Sequence, residues 1–90
     1  MNLNKSQSKN GLSNSSLKET SIDAFYVYQD RYGVITDTKF SYLPLQVAIG
    51  YLLVVHSVNP IESLSELYRN DLVSLEKLME YRTLLMIILE

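Results

Sequence analysis

Phe40 to Ile61 is a run of 22 residues without a formal charge, and its middle, Leu43 to Val55, is apolar on nearly every side. At helical spacing, Leu43, Val47, Gly50/Tyr51, Val54 and Val55 make one face. Leu45, Ile49, Leu52 and Leu53 cover much of the rest. A helix that is apolar nearly all round must be covered on more than one side. One way to cover it is a bilayer, but a spanning helix needs about 20 predominantly apolar residues. Here Ser41, Pro44, Gln46, Gly50, His56, Ser57, Asn59 and Pro60 interrupt the run, and the apolar heart is too short. The expectation is therefore a buried central helix with other helices wrapped around it, and no membrane partner.

Ninety residues provide for one small domain. Such a chain buries a modest share of its surface, so a second subunit is the natural way to enlarge its core. There are no cysteines, which removes disulfides, thiolate metal sites and thiol nucleophiles and fits a cytoplasmic setting. Residues 1–21 are rich in Asn, Ser and Lys. Their only large apolar residues are Leu3, Leu12 and Leu17, and they contain no apolar signal-peptide core. Such a stretch is expected to be a disordered polar tail, since it cannot bury enough to offset its ordering entropy. The helical domain is expected to span residues 22–90. The tail carries Lys5, Lys9, Lys18 and Glu19, while the rest of the chain has five basic and nine acidic side chains. An acidic body is poorly suited to coating nucleic acid.

Local signals divide the body into three or four helices. Ser21 is a candidate cap for a short first helix that stops at Gly33, although the alternation in Ala24–Tyr28 also permits a strand. Asp37 or Thr38 is a candidate cap for the second helix, and Pro44 moves its regular part toward Leu43. In the stretch NPIESL, Asn59 is a preferred N-cap, Pro60 suits the first helical position and Glu62 stands three residues after the cap. A helix is predicted to start at Pro60. Beyond it, Ile61, Leu64, Tyr68, Leu72, Leu75, Met79 and Met86 keep helical spacing. Residues 60–90 form either one long helix or a tight pair broken at Asn70, with Asp71 capping the second member. The closing RTLLMIILE puts Leu78, Leu85 and Leu89 on one face with Met79 and Met86, and Tyr81, Leu84 and Ile88 on another. Two apolar faces call for two covers. Tyr81, Leu84, Leu85, Ile88 and Leu89 are the candidate residues of a dimer or partner interface.

Catalytic chemistry finds little footing. His56 is the single histidine and has no ligand-type side chain at metal-motif spacing nearby; a helix C-terminus accounts for it. Seven tyrosines suit a core or an interface better than nucleobase stacking, because Asp23, Asp30 and Asp37 stand beside Arg31 and Lys39. The pairs Glu62/Glu66 and Glu76/Glu80 are expected to be mutually repulsive residues on a wet helix face. There is no phosphate loop and no nucleophile with a credible base. No enzyme activity, metal, cofactor or small-molecule substrate is expected.

A short aromatic segment leads to a glycine, an uncharged helix, an Asn-led helix and an Arg followed by an apolar close. This order resembles the small enterobacterial YmgB/AriR family, regulators of biofilm formation and acid resistance also described as connectors of two-component systems. The likeness runs from about Ala24 to Leu89. Tyr28 precedes Gly33 as the family's aromatic pair precedes its turn. Leu43, Val47 and Tyr51/Leu52 follow its Leu-x-x-x-Val-x-x-x-Leu helix. Val58-Asn59 matches its Val-Asn, and Arg82, Leu85, Ile87 and Leu89 match its Arg-x-x-Leu-x-Ile-x-Leu close. The acidic cluster that often follows the family's turn is reduced to Asp37, and Pro44 stands where a small or flexible residue is expected. The resemblance implies an all-α, Hha-like bundle, homodimerisation, and transcriptional regulation through a protein partner in biofilm and stress responses. An alternative is an Hha-like DNA-associated regulator with phosphate contacts from Lys5, Lys9 and Lys18. Another is a small helical chaperone, immunity protein or phage inhibitor.

Overall fold

A computed structural model describes residues 14–90, and among them there are helices and no strand. The helices are α1 (Asn14–Tyr32), α2 (Leu45–Val54), α3 (Pro60–Arg69) and α4 (Leu75–Leu89), with a 3-10 segment at Asp37–Tyr42. The protein is an all-α bundle, as expected.

α2 is the central helix. Seven of its ten residues, Val47 to Leu53, are buried, so both flanks of the uncharged run are covered. The most extensive packing partner of α2 is α1. Their backbones approach at Gly50, where a Cβ would stand 2.0 Å from the Ser21 carbonyl oxygen and 2.8 Å from Phe25 Cβ. Only a glycine permits that approach. Ser21 itself is buried, and its hydroxyl has no hydrogen-bond partner. The residue is there for its small size.

The expected tail is corrected by this contact. α1 begins at Asn14 rather than after residue 21, and Ser21 lies inside it rather than capping it. Leu17, Ser21, Phe25 and Tyr28, spaced by 4, 4 and 3 residues, form the side of α1 that meets the core. Apolar counting undervalued this side because one of its members is a serine. Residues 1–13 lie outside the described residues, and with them Lys5 and Lys9.

The second helix starts later than Asp37 or Thr38. The 3-10 segment occupies that stretch and buries Phe40, and Pro44 takes the N-cap position of α2 with an extended ψ of 154°. α3 starts where the sequence places it. Asn59 accepts a hydrogen bond from the Glu62 N–H at 3.1 Å, and Pro60 follows as the first helical residue. Residues 60–90 are two helices. Asn70 ends α3 as expected, but Asp71 takes a left-handed φ of 62° in the turn and does not cap α4. Ser74 does, accepting from the Lys77 N–H at 3.2 Å.

The core joins every element. Phe40 lies edge-on to Tyr81 of α4 with ring centroids 5.6 Å apart, and both Phe25 and Phe40 meet Tyr51. Leu64 and Leu67 come from α3, and Tyr81, Leu85 and Ile88 from α4.

Candidate interaction surface

α4 carries two apolar seams with the same 3-and-4 spacing. Leu78, Tyr81, Leu85 and Ile88 form the first, which faces the core. Tyr81, Leu85 and Ile88 are buried and Leu78 is half-buried. The second is Leu75, Met79, Arg82, Met86 and Leu89, roughly 100° around the helix, one residue on from the first. It is open to solvent: Leu75 is 56% exposed, Met79 54%, Met86 49% and Leu89 46%. Arg82 sits exposed at its midpoint. Ile87, also exposed, turns from the stripe toward the start of α3. There Ile61, Thr83, Met86, Ile87, Leu89 and Glu90 line a shallow groove of about 500 Å³.

The interface residues expected from sequence are thereby divided. Tyr81, Leu85 and Ile88 are committed to the chain's own core and present no surface to a partner. Leu84 is half-buried against that core. Leu89 alone of the five is exposed. The exposed apolar residues of α4 outside that set are Leu75, Met79, Met86 and Ile87. Helical spacing grouped Met79, Met86 and Leu89 with Leu78 and Leu85; the fold separates them, turning Leu78 and Leu85 inward with Tyr81 and Ile88 and leaving the others exposed. The inner seam packs into the core, where Tyr81 meets Phe40, and the outer seam carries the exposed Arg82.

A polar cluster fixes the far end of α2. Asp37 begins the 3-10 segment, and its carboxylate accepts a hydrogen bond from the Tyr51 hydroxyl and lies 2.9 Å from His56 Nε2. The Tyr51 and His56 rings meet edge-on with centroids 5.4 Å apart. Burial raises the Tyr51 hydroxyl pKa well above its usual value, and the carboxylate beside it adds to the rise. At Asp37 burial also acts upward, but the Tyr51 and His56 hydrogen bonds and the attraction to His56 outweigh it and lower the carboxyl below its usual value. The cluster thus combines a carboxylate held ionised with a phenol held protonated. Tyr51 is buried, while the Asp37 and His56 side chains are partly exposed. The geometry ties the 3-10 segment to the end of α2. His56 has a partner 19 positions away in sequence, outside the reach of any motif-spacing test.

The remaining expected residues fall as follows. Lys18 is exposed on α1. Glu62 and Glu66 do not merely repel: Arg69 bonds to both, at 2.9 and 2.6 Å. Of the tyrosines, Tyr51 and Tyr81 are core residues, Tyr28 is half-buried, and Tyr26, Tyr32, Tyr42 and Tyr68 are exposed. Among the described residues no helix is long and apolar enough to cross a membrane, and no group of three metal-ligating side chains comes together. Comparison with protein-family models, curated proteins and solved structures finds no match.

Proposed function

We propose that this is a small non-enzymatic regulatory protein that works by protein–protein association. Two copies pair through the outer face of α4, and the homodimer engages a partner regulator in the manner of the YmgB/AriR connectors that the sequence resembles. The observation that supports this reading is the exposed seam Leu75, Met79, Met86 and Leu89. It runs along a 15-residue helix with one charge, Arg82, at its midpoint, is spaced as in a coiled coil and is continuous with the groove at Ile61. Exposed apolar patches of this kind mark interaction sites. A standard interface buries roughly 800 Å² on each partner, and the groove adds area to what the stripe supplies.

The proposed pairing runs along this stripe, with Arg82 exposed at its midpoint. Its test is the concentration dependence of thermal unfolding, because a dimer's midpoint rises with protein concentration and a monomer's does not. The wild-type midpoint should climb over a hundredfold range of concentration. In Met79→Glu/Met86→Glu it should be independent of concentration while the helical circular dichroism persists. A concentration-independent wild type would rule out the homodimer.

A further inference from the structure

On a different part of the molecule, the end of α1 and the 3-10 segment enclose a second concavity, a cleft of about 320 Å³. Its walls are Tyr28 and Tyr32 from α1, with ring centroids 4.6 Å apart, and Tyr42 from the end of the 3-10 segment. Ile35 and Leu43 are buried and form its apolar floor; Val34 and Lys39 complete it, and no carboxylate lines it. None of its residues belongs to α4.

Several polar groups around this cleft are without partners. The hydroxyls of Tyr28, Tyr32 and Tyr42 have no hydrogen-bond partner within the described residues, and Lys39 makes no ion pair there. Gly33, at φ +96°, turns the chain out of α1, and Thr36 is extended at φ −119°, ψ 166°. Between the bond from Gly33 N–H to Gln29 and the bond from Lys39 N–H to Thr36, the N–H groups of Val34 and Ile35 are unpaired. Val34 is 72% exposed and Tyr42 81%, so neither is held by the protein's own packing. The cleft therefore offers aromatic faces, unpaired donors among its polar groups, and a single positive charge with no carboxylate.

Its complement is a ligand that is apolar, extended and rich in acceptors. A proline-rich segment in the polyproline II conformation has this chemistry: its rings pack on aromatic faces, its carbonyls are free acceptors, and its prolines carry no N–H that would need a partner. We propose that the Tyr28/Tyr32/Tyr42 cleft binds a proline-rich peptide segment of a partner protein, with an acidic residue of that segment against Lys39. The donors and the aromatic walls would also suit single-stranded nucleic acid, but one lysine provides little of the phosphate neutralisation on which such binding depends.

The test is a titration of the full-length 15N-labelled chain, observed by NMR. The probes are a decaproline peptide with one central glutamate, the same peptide with alternate prolines replaced by glycine, and a ten-nucleotide oligothymidylate. The proline peptide should shift the amides of Tyr32 to Lys39 and of Tyr42 in a saturable manner. Tyr42→Ala, at an exposed position that leaves the fold intact, should weaken binding about tenfold or more, an easily resolved difference in Kd. Lys39→Ala should also weaken the glutamate-bearing peptide. No saturable shift at millimolar peptide would overturn the proposal, as would equal binding of the glycine-substituted control or affinity unchanged by Tyr42→Ala. Occupation of the cleft by the oligothymidylate and not by the peptide would overturn it in favour of nucleic acid.

Discussion

Gly50→Ala adds one methyl group at the closest approach of α1 and α2, and its consequence follows from the geometry of that crossing. The new Cβ would lie 2.0 Å from the Ser21 carbonyl oxygen and 2.8 Å from both the Ser21 carbonyl carbon and Phe25 Cβ. The first two are backbone atoms of a helix, so no side-chain rotation relieves the contact. α1 must move away by about an ångström or more to restore van der Waals separation, and a gap of 0.5–1 Å already forfeits a quarter to a half of each contact's dispersion energy. Overpacking of a dense core costs about 1–3 kcal/mol and occasionally more; a backbone clash belongs at the upper end. Alanine returns about 1 kcal/mol through its better helix propensity. The expected net loss is about 2 kcal/mol or more. For a domain of this size that lowers the melting temperature by roughly 8–16 °C. Urea unfolding followed by circular dichroism measures it, with the midpoint lowered and the slope unchanged. Alanine as stable as glycine, or more stable, would refute the close crossing and with it the extension of α1 to Asn14.

Two further substitutions test the interior. Ser21→Ala removes a buried hydroxyl with no partner and replaces it with a better helix former, so urea denaturation should show a gain of about 1 kcal/mol. In the polar cluster the signs of the pH dependence are opposed. Tyr51 has its pKa raised in the folded state, so its contribution is complete below the unfolded value near 10 and is lost as pH rises beyond it. Asp37 has its pKa lowered, so its contribution is complete above the unfolded value near 4 and is lost as pH falls through the folded one. Tyr51→Phe should flatten the alkaline limb of the stability–pH curve, and Asp37→Asn the acid limb; a curve unchanged by either would show the cluster to be incidental.

What the sequence discloses depends on how local the cause is. The start of α3 is legible in NPIESL because cap, proline and first turn all lie within four residues. The central position of α2 is legible because an uncharged run apolar nearly all round has no other place in a small domain. α1 is misread at its beginning because Ser21 is buried through its smallness opposite Gly50, a contact between residues 29 apart that no periodicity displays. The two seams of α4 are alike in spacing, and the one local signal that separates them is Arg82, the charge in the outer seam. Asp37, a candidate cap by local rules, is used instead by Tyr51 and His56.

The measurement that bears most directly on the central claim is the molar mass in solution, by light scattering behind size exclusion, of the wild type and of Met79→Glu/Met86→Glu. The chain weighs 10.3 kDa. Pairing through the outer seam of α4 gives twice that mass for the wild type and the single-chain mass for the variant, with helical content unchanged. A wild type that elutes at the single-chain mass at all concentrations, or a variant that remains a dimer, would contradict it.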